Sequence, residues 1–237
     1  MAIAMRTDAE TLKITRASDG LELDLELIQG MWTEAQYLKL SAATNRLIEF
    51  TDGQIEVLPM PTYKHQMILR FIFLALMTFV EPLGGRVLFA ALRMQVRPGK
   101  FREPDILLLR DANDPRCQNR YWLGADLVVE VVSEDDPERD TVEKVLDYAE
   151  AGIPEYWIVN PQDETVRVLS LQGERYAEHG LFRRGAVASS ALLEGFTLPL
   201  DALFDVADPR SEIRQKPDPS YASMCYTQWR TPLSSKG

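Results

Sequence analysis

Apolar and acidic residues alternate strictly over Leu21-Glu-Leu-Asp-Leu-Glu-Leu27, a period of two that predicts a half-buried strand. Thr33, ahead of Glu34-Ala-Gln-Tyr-Leu38, reads as the N-cap of a short helix. The apolar runs Leu47-Ile-Glu-Phe50 and Ile55-Glu-Val-Leu58 flank Thr51-Asp-Gly-Gln54, and Asp-Gly in that setting predicts a hairpin. Pro59 and Pro61 break the second strand. Tyr63 to Glu81 is apolar nearly all round, which predicts a helix buried on most sides.

Gly84-Gly85 is a turn, Arg86 to Arg97 reads as one strand, and Pro98-Gly99 turns the chain again. Glu103 to Leu109 is a strand entered through Pro104, and residues 111–124 form a loop of turn formers. Asp126-Leu-Val-Val-Glu-Val-Val-Ser133 is almost continuously apolar, as expected of a strand covered on both faces. Glu134 to Ala151 predicts a helix ended by Gly152, and Glu155 to Asn160 another buried strand. Strand, helix, strand implies a βαβ crossover. Thr165 to Leu171 and Glu174 to Glu178 read as a hairpin around Gln172-Gly173, and Leu198 to Phe204 as a short closing element. No repeats appear. The expected organisation is an N-terminal extension over 1–20, one α/β domain over 21–206 and a polar tail over 207–237, tied down at Tyr226 and Trp229 if anywhere.

Composition narrows the function classes. At 237 residues and 46% apolar, the chain can bury a core without staples. A net charge of −10 argues against wholesale binding to nucleic acid or an anionic membrane; a polyanion would need a local basic patch or a metal ion. Cys117 and Cys225 lie far apart and are expected as free thiols in a reducing cytoplasm. Two histidines, His65 and His179, exclude a His-rich zinc site. Residues 1–10 lack the apolar core of a signal peptide. The longest apolar run, Phe71 to Val80, is ten residues, against about 20 for a membrane span, so a membrane partner is not expected.

Candidate chemistry begins at Glu130. A carboxylate inside Leu-Val-Val-Glu-Val-Val faces a large desolvation cost, which a divalent cation or a buried ion pair would offset. Asp105 sits where a turn enters an apolar strand, 25 residues upstream. Two neighbouring strands would set these carboxylates side by side to hold Mg²⁺ or Mn²⁺, which activates water for phosphodiester attack. In the following helix Asp140, Lys144 and Tyr148 share a face by i, i+4 spacing. Lys144 would reach the end of the Glu130 strand and stabilise charge on a phosphate. The plain alternatives are a turn residue at Asp105, an ion pair at Glu130 and a solvated lysine at 144.

These residues resemble the PD-(D/E)XK superfamily, and most closely its Uma-type branch. The resemblance is carried by Phe50-Thr-Asp-Gly-Gln-Ile-Glu56, Pro59 to His65, Glu103-Pro-Asp105, Asp126 to Ser133, Arg139-Asp-Thr-Val-Glu-Lys144 and Tyr148 to Asn160, within Trp32 to Phe204. It implies a restriction endonuclease-like mixed β-sheet flanked by helices, with Asp105, Glu130 and Lys144 catalytic and Asp105 and Glu130 on the metal. Where the superfamily carries its lysine, two residues after the glutamate, this chain has Val132, and Lys144 on the helix takes that place. The resemblance also turns Glu49, Glu56 and His65 toward the cleft; otherwise they are a solvent-facing strand pair and a helix-start histidine.

Arg86, Arg93, Arg97, Lys100 and Arg102 form a stretch without an acid, read either as a contact for DNA phosphates or as the outer face of two strands. Against DNA stand eight acids and two cations in residues 134–150. The expected function is thus a Mg²⁺-dependent endonuclease acting on DNA, working as a homodimer. The alternatives are a catalytically inactive interaction module of the same fold and a structural acid–base cluster that binds no metal.

Overall fold

The computed structural model describes residues 13–15, 18–20 and 22–207. The predicted tail, with Cys225, Tyr226 and Trp229, lies outside them. The strands and helices, in chain order, are β1 (Lys13–Thr15), β2 (Glu22–Asp24), α1 (Glu34–Ser41), β3 (Ile48–Thr51), β4 (Gln54–Val57), α2 (Tyr63–Val80), β5 (Arg86–Phe89), β6 (Met94–Arg97), β7 (Lys100–Arg102), β8 (Ile106–Leu109), β9 (Leu127–Val131), α3 (Lys144–Glu150), β10 (Glu155–Asn160), β11 (Thr165–Gln172), β12 (Arg175–Arg183), β13 (Val187–Ser189), β14 (Thr197–Pro199) and α4 (Leu200–Asp205).

A six-stranded mixed sheet of order β12-β11-β10-β9-β8-β5 forms the centre. Only β9 and β10 run parallel in it, joined through α3, which is the expected crossover. Alternation in β9 sends Leu127, Val129 and Val131 to one face, where they pack with Ile68, Ile72 and Leu76 of α2. Val128 and Val132 go to the other, with Tyr148 of α3. Both faces are covered, which is why β9 reads as one apolar run. A four-stranded sheet of order β4-β3-β7-β6 packs Ile48, Phe50, Ile55 and Phe101 under Tyr37 of α1. The Thr33 cap is present as a full capping box with Gln36. At the β3–β4 turn Gly53 has φ 91°, and a Cβ there would lie 2.7 Å from the carbonyl oxygen of Gly30.

Several expectations change. Residues 21–27 do not form one strand: β2 stops at Asp24, a 3₁₀ turn over Leu25–Ile28 follows, and Leu27 is exposed. Among the described residues β2 pairs only with β1, which falls within the predicted extension. Residues 86–97 are two strands in two sheets, with a turn between them. The helix after β9 starts at Pro137, not Glu134, and passes through a π-helical turn over Arg139–Glu143. Tyr63–Leu83 has the length and mean hydropathy, 1.6, of a membrane span, but α2 lays its inner face on the sheet while Leu74 and Thr78 stay exposed. Its outer half is therefore barer than predicted. β12 pairs with β11 along its length, with a bulge at Val168/Leu169 that leaves His179 unmatched.

Candidate active site

Register decides where the carboxylates go. Ile106 of β8 pairs with Val129 of β9, so Asp105 falls opposite Glu130 on the same face of the sheet, the face that α3 covers. The Asp105 N–H approaches Glu130 Oε2 at 3.4 Å, and Asp105 Oδ2 accepts from the Val131 N–H at 2.8 Å. His65, in the first turn of α2, reaches the same Oδ2 with Nε2 at 3.1 Å.

Glu130 is 3% exposed. Its Oε1 accepts from the Tyr148 hydroxyl and lies 2.9 Å from Lys144 Nζ. Lys144 is equally buried and also meets Asp140 Oδ1 at 3.0 Å and Glu49 Oε1 at 3.8 Å. It is thus held by three carboxylates, not solvated at a helix edge. Burial is the largest influence on Glu130 and raises its pKa well above the usual range; Lys144 opposes it, while Asp105 and Asp140 add to it. Burial likewise works against the Lys144 ammonium, but Glu130, Asp140, Glu49 and Asp105 outweigh it and hold the amine protonated. At His65 burial lowers the pKa, but the hydrogen bond to Asp105 together with the charges of Asp105 and Asp140 outweighs it, and the net shift is upward.

The pair lies in a cleft of about 230 Å³ bordered by Pro61, His65, Asp105, Glu130, Arg139 and Lys144. Among the described residues no three Asp, Glu, His or Cys side chains converge into a metal cage. A magnesium-type ion needs no cage, only one or two carboxylates with waters and substrate phosphate. Among the described residues Asp105 Oδ1 has no hydrogen-bond partner and Glu130 Oε2 only the long contact, so each carboxylate keeps an oxygen for a cation. The donor set fits a hard divalent ion.

The structure brings together Asp105, Glu130, Lys144, His65, Glu49, Asp140 and Tyr148. Glu56 stands at the rim, bonded to Arg139. Arg86 is exposed on β5, in the other sheet, while Arg93, Arg97, Lys100 and Arg102 are met by acids instead of forming the free basic face expected for DNA. Arg97 binds Asp52 and Glu150, Lys100 and Arg102 bind Asp147, and Arg93 lies 3.5 Å from Glu103. Acids distant in sequence fill the gap left by acids absent nearby. Strand pairing explains the burial: Phe50 faces Phe101, so Glu49 and Arg102 meet on the opposite side at 3.4 Å. Glu103, buried beside Glu49 and Arg93, has its pKa raised to about 7, first by burial and then by Glu49. Sequence reasoning missed Arg139 and the Asp147 ion cluster; the π turn that aims Arg139 carries no local signal.

The model of a family described as "Uma2: Putative restriction endonuclease" matches residues 34–201. The chain belongs to the Uma2 family. Among solved structures it is similar to a "putative nuclease belonging to DUF820" from Anabaena variabilis ATCC 29413, with 22% identity and a TM-score of 0.60, over 72% of this chain and 98% of that one. That likeness shows a shared fold. No curated protein matches the chain. Membership of Uma2 supports nuclease activity, and restriction endonuclease-like proteins generally use divalent metal ions.

Proposed function

We propose that this Uma2 protein is a Mg²⁺- or Mn²⁺-dependent endonuclease that hydrolyses phosphodiester bonds in DNA. The observation that carries the reading is the pairing of Asp105 and Glu130 on facing strands with Lys144 Nζ 2.9 Å from Glu130. Asp105 and Glu130 would hold the ion. When bound, it supplies Lewis acidity, acidifying a water and polarising the phosphoryl group. His65 and the Val131 N–H fix Asp105; Tyr148 fixes Glu130. Lys144, kept as an ammonium by its carboxylates, acts as a charge stabiliser and not as a base. The water's oxygen bonds to phosphorus and releases its proton to solvent, one ester P–O bond breaks, and the leaving oxygen takes a proton from solvent.

A second reading, a non-catalytic module that keeps the fold, is favoured by one observation: the Lys144 charge is already met by three carboxylates. Cleavage of plasmid and single-stranded DNA with Mg²⁺ and Mn²⁺ separates the two. Wild type should cut, and Asp105→Ala should lose both cutting and calorimetric metal binding. Metal binding without cleavage of any nucleic acid would refute the enzyme and support the module.

A further inference from the structure

We propose that Arg139 is the phosphate anchor of the cleft, gripping a phosphodiester of the bound strand with the Nε/Nη2 edge of its guanidinium. The proposal rests on the nuclease reading above and adds the residue that holds the substrate.

The hydrogen bonding of Arg139 is half finished. The residue is 8% exposed, its Nη2 meets Glu56 Oε1, and its buried Nε has no acceptor among the described residues. Other arginines use both positions. Arg116 sets Nε and Nη2 on the two oxygens of Asp114 at 3.0 and 2.7 Å, and Arg184 does the same with Glu164. Arg102 places Nε and Nη2 on Asp147. Even Arg93, whose Nε also lacks a hydrogen bond, has Glu103 Oε1 at 3.5 Å. A planar fork matches an acceptor with two oxygens, as a phosphodiester offers and the single Glu56 contact does not. Glu56 is the solvent-facing member of its pair, with a side chain 48% exposed, so a phosphate could displace it.

The local backbone points the same way. The Lys144 N–H donates to the Arg139 carbonyl, five residues back. In an α-helix five residues turn the chain about 140° past a full revolution, placing such a pair on different faces. The π turn stacks them, so Arg139, Asp140 and Lys144 are all buried at the cleft. The other cations there are occupied: Lys144 by three carboxylates, Lys64 by the Pro161 carbonyl at 2.7 Å, and His65 by Asp105. Glu134 and Asp135 add negative charge to the lining, so an incoming phosphate needs a cation with a bond to spare.

The test is fluorescence anisotropy of a fluorescein-labelled 20-mer duplex in Ca²⁺ buffer, titrated over salt, beside cleavage in Mg²⁺. Arg139→Ala should weaken binding about ten-fold, the loss expected for one charged hydrogen-bond pair. It should also reduce the slope of log K against log salt by about 0.9, one phosphate contact on a duplex. Arg139→Lys should recover part of the affinity, Glu56→Gln should tighten binding, and calorimetric metal affinity should stay at the wild-type value. If Arg139→Ala does not fold, Arg139→Lys and Glu56→Gln carry the test with the same signs. Unchanged affinity and salt slope in a wild type that cleaves would overturn the anchor alone. Loss of binding in Arg139→Ala with no cleavage by wild type would uphold the anchor and overturn the nuclease. A wild type that neither binds nor cleaves overturns both.

Discussion

Lys144→Met tests the site through stability instead of turnover. The substitution keeps an unbranched side chain of similar length and removes only the charge. In the folded protein that charge sits 2.9 Å from Glu130, 3.0 Å from Asp140 and 3.8 Å from Glu49, all buried. Removing one partner of a buried ion pair costs about 3–5 kcal/mol, since the remaining charge loses its compensation. Whole-domain stability is only about 5–15 kcal/mol, so a large share of it would go. With a urea slope near the upper end of the usual range, the unfolding midpoint should fall by about 1–2 M. The assay is urea unfolding followed by tryptophan fluorescence in EDTA, with buried Trp122 and Trp157 reporting. The sign with pH follows from Glu130, whose folded pKa is raised. The stability its protonated form contributes is fully present below the unfolded value, about 4.3, and is lost as pH rises through the folded value. The deficit of the variant should therefore shrink on acidification, and it should shrink on adding Mg²⁺ at neutral pH. A Lys144→Met protein within about 1 kcal/mol of wild type at pH 7.5 would refute the claim that the amine compensates buried carboxylates.

Three further outcomes are expected. Glu103 has its folded pKa raised to about 7, so its contribution is present below the unfolded value and lost as pH rises through 7; between those limits wild-type stability in EDTA should fall by up to about 1.4 kcal/mol per pH unit, and Glu103→Gln should flatten the profile. Gly53→Ala should destabilise by about 1–3 kcal/mol in thermal unfolding, because φ 91° and the Gly30 carbonyl at 2.7 Å both oppose a side chain. Light scattering at micromolar concentration should give a dimer mass, and Leu74→Asp on the outer face of α2 should return a monomer; a wild-type monomer ends that expectation.

The parts of the fold legible in the amino-acid order are those with local chemistry. Asp52-Gly53 marks its hairpin because a tight turn needs those residues, and the apolar run of β9 shows because both faces of the strand are covered. The split at Ala90 was not legible, since β5 and β6 each continue an apolar pattern while joining different sheets. Burial cost singles out Glu130, the turn into an apolar strand and the family resemblance add Asp105, and β-register is what sets them opposite each other. Glu49 shows the limit. Its neighbours Ile48 and Phe50 face α1, so alternation points it outward, but the outward side of β3 is the wall of the site. The partners of Arg97, Lys100 and Arg102 lie 45 to 53 residues away, beyond any local window.

The bulge in β12 bears on how this protein behaves when crowded. β12 is the long outer strand of the central sheet, and such an edge can template the pairing of a stranger's backbone. The unmatched His179 breaks the spacing of hydrogen-bonding groups midway, so an incoming strand in register at Arg175 would be out of register at Arg183. Arg175, Glu178 and Arg183 are exposed along it, and charged side chains there resist a dry, fibril-like seam. The opposite edge, β5, is only four residues long. Sheet-to-sheet fusion between copies is therefore guarded at both ends, and protein held at high concentration should resist amyloid-type deposition even where apolar surface draws the molecules together.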